Sequence, residues 1–180
     1  METPKLCDLV DAGLIKDLDS VTKSEALDEM IELICQSERI VDRAAFREAV
    51  LARERLMSTG IGLSVAVPHV KISAVSDYVV AIGRSRSGIE FDSLDSQPVR
   101  LIFMVGASDR QAGAFVKLLA RIVTLIKNGT TRLALLEADD PEGIRDALLA
   151  AESAEERAAE ARAKVDSTRS GRSRFGKKSR

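Results

Sequence analysis

The chain has 180 residues, 45% hydrophobic and 31% charged, with 27 basic and 28 acidic side chains, one histidine, two cysteines and no tryptophan. That length fits one main domain, and its core must be aliphatic because aromatics are only 3% of the residues. Cys7 and Cys35 are too far apart for a C-x-x-C pair, which argues against a disulfide framework and a zinc site; the apolar runs, such as Leu101 to Val105, are too short to span a bilayer. With no basic and apolar leader pattern at the N-terminus, these features predict a cytoplasmic chain without stable membrane insertion.

Thr22-Lys23-Ser24-Glu25 has the form of a capping box and predicts a helix start, with Leu27, Met30, Ile31 and Ile34 forming an apolar face through about Gln36. Asp42 is suited to cap a second helix from Arg43, which buries Phe46, Val50 and Leu51 and is ended by Gly60 and Gly62. Two helices therefore precede the first predicted strand, Ser64 to Pro68, and His69 falls just beyond that strand's end. Asp77 to Ser85 and Pro98 to Gly106 are near-continuous apolar runs, as expected of strands buried on both faces, and Gly88 to Phe91 reads as a short edge strand between them.

Ser108-Asp109-Arg110-Gln111 offers a second capping box ahead of the stripe Phe115, Leu118, Leu119, Ile122, Leu125 and Ile126, and Asn128-Gly129 closes that helix. Thr130 to Ala138 predicts a short helix, and Asp140-Pro141 opens a last one running through Leu149. Helices before, between and after strands predict an α/β fold, a mixed β-sheet covered by helices on both faces.

The domain is expected to occupy 1–151, followed by an exposed helical extension over 152–166 and a basic disordered tail over 167–180. The tail holds six of the 27 basic residues and no acidic ones, so the rest has 21 basic against 28 acidic side chains, a net of about seven negative charges. A basic tail suits an acidic protein, nucleic acid or a membrane surface, but Phe175 alone gives little for base stacking. A solvated extension is the simpler reading, and the tail's partner stays unassigned.

The segment around His69 has the clearest chemistry. Ser58-Thr59-Gly60-Ile61-Gly62 supplies small and hydroxylated residues able to bring donors near an anion, although a tight turn uses the same residues and the lysine of a nucleotide P-loop is missing. Neutral imidazole attacks phosphorus through one nitrogen when the other donates its proton to a fixed acceptor. Arg53 would supply positive charge to the equatorial oxygens.

Arg53-Glu54, Ser58-Thr59-Gly60-Ile61-Gly62 and Val65-Ala66-Val67-Pro68-His69-Val70-Lys71, in that order, resemble the active-site signature of the fructose/mannitol-type enzyme IIA domain of the bacterial sugar phosphotransferase system, a class that includes the nitrogen-regulatory paralogue. The resemblance covers roughly Leu6 to Leu149, including Gly88-Ile89-Glu90-Phe91, Val99 to Val105 and Leu118-Leu119-Ala120-Arg121-Ile122. It implies the mannitol-type enzyme IIA fold and a phosphocarrier. His69 would accept a phosphoryl group from the phosphohistidine of HPr, or of its nitrogen-branch counterpart, and pass it to a separate IIB-like domain. The alternative is a nitrogen-type regulator whose phosphorylation state controls binding to target proteins, and a third reading is a degenerate domain that is never phosphorylated.

By the same resemblance, Arg53 is the electrostatic stabiliser, Ser58, Thr59 and Gly60 are phosphate-binding candidates, and Glu54 orients its neighbours. No metal and no cofactor are implied. This sequence departs from the family pattern at Ser64, where glycine is common, and at Phe115, where a second histidine is common. Phenylalanine cannot donate to phosphate, so the resemblance implies one phosphate donor fewer.

Overall fold

Thr22 opens helix α1 (Lys23–Ile34) with both limbs of a capping box: the Glu25 amide donates to its hydroxyl at 3.3 Å, and its own amide donates to the Glu25 carboxylate at 3.0 Å. Asp42 caps helix α2 (Arg43–Leu56) by accepting from the Ala45 amide at 3.0 Å. This helix stops before the expected glycines, because Met57 turns to extended backbone and the Arg53 guanidinium donates to its carbonyl at 2.9 Å. The structure is a computed structural model that describes residues 5–173, with the side chains of Ala112 and 165–173 outside that description.

Six strands form one mixed sheet: β1 (Ile15–Asp17), β2 (Gly60–Gly62), β3 (Val65–Ala66), β4 (His69–Lys71), β5 (Val79–Ile89) and β6 (Val99–Ala107). Their order is β1-β5-β6-β3-β2, and β4 lies beyond β3 on the same edge of β6. Both β3 and β4 run parallel to β6, with Ala66 opposite Ile102 and His69 opposite Val105. Pro68 separates them because it has no amide for the ladder, yet its carbonyl still accepts from the Val105 amide at 2.9 Å.

The central antiparallel pair β5 and β6 alternates between two cores, as period-2 side chains must. Val80, Ile82, Leu101, Phe103 and Val105 face helices α3 (Ala112–Lys127), α4 (Gly129–Glu137) and α5 (Pro141–Ser173). Val79, Ala81, Ile102 and Met104 face α1 and α2. Helices thus cover both faces, as the chain order predicts.

Buried polar side chains tie the layers. Arg84, fully buried on β5, makes a bidentate pair with Asp17 of β1 at 2.6 and 2.9 Å and donates to the Leu135, Leu136 and Ala138 carbonyls at the end of α4. Glu152 of α5 accepts from the Leu6 and Cys7 amides, each at 2.8 Å, and lies 2.7 Å from Arg121 of α3.

Several local expectations are corrected. Strand β1 precedes both helices; only its parallel pairing with Ile82, Gly83 and Arg84 makes this short segment a strand. Gly88 to Phe91 is no separate edge strand, since β5 continues past an irregularity to Ile89 and Phe91 is fully buried. Of the expected Ser108–Gln111 capping box only one limb forms, Gln111 accepting from the Ser108 amide at 3.2 Å; the Gln111 amide donates to the Ser108 carbonyl instead of its hydroxyl, and the pair holds a turn ahead of α3. Asn128 ends α3 and also caps α4 through the Thr130 and Thr131 amides. Helix α5 runs on past the expected end at 166 as far as Ser173; its stretch rich in good helix formers, Ala, Glu and Arg, lies before 166. The remaining tail, 174–180, lies outside the described residues. Among the described residues no helix is long and apolar enough to cross a membrane.

Candidate functional site

His69 is the first residue of β4 and not, as expected, a residue beyond the strand: parallel pairing with Val105 extends the ladder past Pro68. The imidazole is half-buried, and its Nδ1 lies 2.7 Å from the Val67 carbonyl. A carbonyl only accepts, so Nδ1 carries a proton, and in the neutral ring Nε2 keeps its lone pair.

The ring opens on a cavity of about 220 Å³ that also takes in Arg53, Ser58, Thr59, Gly60, Leu94 and Leu119. The structure therefore brings together every site residue expected from the sequence. Among the described residues Arg53 is the cationic side chain in this lining, and its guanidinium rests on the Met57 carbonyl. Phe115 stands beside the histidine with ring centroids 6.0 Å apart and planes tilted by 57°, and it belongs to the apolar core under α3. At the position where the resemblance implies a second histidine, a buried apolar ring thus stands beside His69.

The two hydroxyls have other partners. Thr59 donates its hydroxyl to Glu54 at 2.6 Å, and its amide lies 3.0 and 3.2 Å from the two Glu54 oxygens. Ser58 donates to the Phe91 carbonyl at 2.7 Å and accepts from the Gly60 amide at 3.2 Å. Both protons are used in holding the loop, the turn-capping role such residues commonly play. Gly60 is needed for close packing, because a Cβ there would stand 2.9 Å from the Ser93 backbone.

Beyond this loop the chain turns sharply. Leu63 and Ser64 have φ of 58° and 60°, so β2 and β3 are joined by a two-residue turn with both centres in the left-handed region. Asp95 pins the turn by accepting from the Leu63 amide at 2.9 Å, and the Gln97 and Leu63 amides hold its carboxyl below the usual carboxylate range.

Sequence reasoning missed Lys23, Asp92 and Leu94. Lys23 reaches from the start of α1 to within 2.9 Å of Glu54 and 3.1 Å of Asp92 and lies over the Phe91 ring. Its sequence signal, the second residue of a capping box, marks a helix end and nothing more. Leu94, 79% exposed at the cavity mouth, lies in a segment that reads as a polar turn. Among the described residues no three His, Cys, Asp or Glu side chains converge as metal ligands.

Fold and site define an α/β domain that presents one half-buried histidine, its tautomer set by a backbone carbonyl, beside Arg53. The chain belongs to the family described as "Phosphoenolpyruvate-dependent sugar phosphotransferase system, EIIA 2", whose model matches residues 9–151. It is therefore a phosphotransferase component of the EIIA phosphocarrier type.

A fructose-specific EIIABC component of Bacillus subtilis is 36% identical over 79% of this chain, which matches only 22% of that longer protein. A fructose-specific EIIA component of Haloferax volcanii is 31% identical over 78% of this chain and 96% of its own length. Among solved structures, the nitrogen regulatory protein IIA-Ntr of Neisseria meningitidis is 27% identical with a TM-score of 0.73, over 79% of this chain and 98% of that one. Enzyme IIAMTL of Escherichia coli, solved with phosphorylated enzyme IIBMTL, has the same fold at a TM-score of 0.67 and 19% identity, over 78% of this chain and 97% of that one.

Proposed function

We propose that this protein works in the cytoplasm, accepting a phosphoryl group on Nε2 of His69 from the phosphohistidine of a small HPr-type carrier and passing it to a cysteine of a separate IIB-like protein. The observation that carries this reading is the 2.7 Å contact from Nδ1 to the Val67 carbonyl, which leaves Nε2 as the nucleophilic nitrogen. As the Nε2–P bond forms, the donor N–P bond breaks and its electron pair returns to the donor ring. His69 becomes a protonated, phosphorylated imidazole, and the donor ring, which carries a proton on its other nitrogen, leaves as neutral imidazole, so the step balances without a metal, a nucleotide or an outside base. The Val67 carbonyl faces the positive charge that develops on His69.

Arg53 is the group assigned to the equatorial oxygens. Leaving the Met57 carbonyl gives up one hydrogen bond, which a charge-assisted bond to phosphate outweighs. The exposed side chains of Met57, at 64%, and Leu94, at 79%, form an apolar rim at the same cavity, suited to a partner that presents its own phosphohistidine from an apolar surface.

The test is to incubate the protein with phosphoenolpyruvate, enzyme I and HPr. Acid-labile, alkali-stable label is expected on the wild type and not on His69→Ala, and its phosphorus should couple to Nε2 in a nitrogen-15 NMR spectrum. No label from HPr or its nitrogen-branch counterpart rejects the reading.

The likeness to a nitrogen regulatory protein supports a second reading, in which phosphorylation of His69 governs binding to a regulatory target. Transfer of label to a IIB cysteine favours the carrier. Retention of label together with state-dependent capture of a regulatory protein favours the regulator.

A further inference from the structure

Building on the phosphoacceptor reading, we infer that Lys23 is a positioning residue for phosphoryl transfer, acting on His69 through Glu54 and the Thr59 and Val67 peptides rather than by touching the phosphoryl group.

The contacts form an unbroken series. Lys23 Nζ lies 2.9 Å from Glu54 Oε1. Glu54, buried against the loop, accepts from both the amide and the hydroxyl of Thr59. The Thr59 carbonyl accepts from the Val67 amide at 2.9 Å, and the Val67 carbonyl accepts from His69 Nδ1 at 2.7 Å. At Thr59, and again at Val67, the amide takes one link and the carbonyl of the same residue takes the next, so a shift of the Glu54 carboxylate is passed through these two residues to the group that sets the histidine's tautomer.

A second branch reaches the same loop. Lys23 Nζ is 3.4 Å from the Ser58 hydroxyl, which accepts from the Gly60 amide. Both branches end on residues that line the histidine cavity, whereas Lys23 lines the neighbouring cavity of about 670 Å³. Lys23 is therefore outside direct contact with a phosphoryl group on Nε2.

The ionic balance makes the lysine necessary. A carboxylate as buried as Glu54 is tolerated when a cation and hydrogen bonds compensate it, and among the described residues Lys23 is the cation within salt-bridge distance. Burial pushes the Lys23 ammonium toward lower pKa, but the bonds to Glu54 and Asp92 outweigh this and raise it overall, so it stays charged. Asp92 is 85% exposed and largely solvated, which leaves Glu54 as the acceptor that depends on the lysine.

The test uses the full chain with phosphoenolpyruvate, enzyme I and HPr, and measures label on His69 over a range of HPr concentrations. Lys23→Met is expected to lower kcat on the order of 10- to 100-fold, the usual effect of slightly misplacing a reacting group, with KM for HPr changed by less than about threefold. Lys23→Arg should recover most of the rate. Because Lys23 acts through Glu54, the double variant with Glu54→Gln should be no slower than the slower single variant. The His69 nitrogen-15 shifts should report loss of the fixed Nδ1–H tautomer in Lys23→Met. Should Lys23→Met fail to fold, Lys23→Gln carries the same measurements.

If the wild type is labelled and Lys23→Met matches it in rate and tautomer, this inference is wrong while the phosphoacceptor reading stands. Effects of Lys23→Met and Glu54→Gln that multiply independently also overturn it. A wild type that takes no label overturns the phosphoacceptor reading, and this inference with it.

Discussion

Phe115→His puts beside His69 a ring able to donate a hydrogen bond, and it is expected to accelerate phosphoryl transfer while destabilising the fold. With 6.0 Å between ring centroids, an imidazole at position 115 is expected to reach an oxygen of a phosphoryl group on His69. One hydrogen bond to a charged group is worth about 1.5–3 kcal/mol, or roughly 10- to 150-fold in rate if it forms in the transition state. The opposing term is the loss of apolar burial. Phe115 is 8% exposed within the core cluster. Exchanging its ring for imidazole should cost about 1–2 kcal/mol, which lowers Tm by roughly 2–8 °C in a chain of this size. Rapid-quench measurement of label on His69, paired with a circular dichroism melt, reads both terms. A variant that melts within that window yet transfers no faster than wild type would refute the idea that a missing donor limits this site.

Ser64→Gly should stabilise the chain by roughly 0.5–1 kcal/mol, since Ser64 sits at φ 60° where a Cβ is penalised, and a thermal melt checks it. Asp17→Asn leaves the fully buried Arg84 without its anion; the loss should lie at the low end of about 3–5 kcal/mol because the Asp17 side chain is 35% exposed. Arg84 holds the Asp17 carboxyl below its usual range, so its contribution is complete above the ordinary value near ~3.9 and is lost as pH falls through the lower folded value. Acid unfolding followed below pH 4 should consequently be less steep in Asp17→Asn than in wild type, and equal profiles would count against the assignment. Burial, and then Glu152, push the Cys7 thiol up to about 12, so in the native chain at pH 8 it should react with a disulfide reagent far more slowly than in the unfolded chain. Equal native and unfolded rates would contradict that environment.

The site was legible in the sequence to the extent that its residues lie close together along the chain. Arg53, Ser58, Thr59, Gly60 and His69 fall within a short segment, and the structure gathers them around one cavity. Their roles were less legible. The hydroxyls of Ser58 and Thr59 suit an anion on paper, but Phe91 and Glu54 take their protons, and those acceptors reach them only when the chain folds. Likewise, Lys23 comes from a remote helix start to neutralise Glu54, and no local pattern records that contact.

By itself the sequence determined the features governed by neighbours along the chain. The α1 capping box, the Asp42 cap, the apolar stripe of α3 and the continuous runs of β5 and β6 follow from side-chain spacing and local hydrogen bonds. Tertiary structure decided whatever depends on long-range pairing. The segments β1 and β4 are too short to declare themselves and become strands only along β5 and β6. Phe115 of α3 meets the His69 ring of β4 only once the chain is folded. The tautomer of His69 belongs in both accounts: Val67 is two residues away, but the direction of its carbonyl is set by the strand edge and by the Thr59 loop.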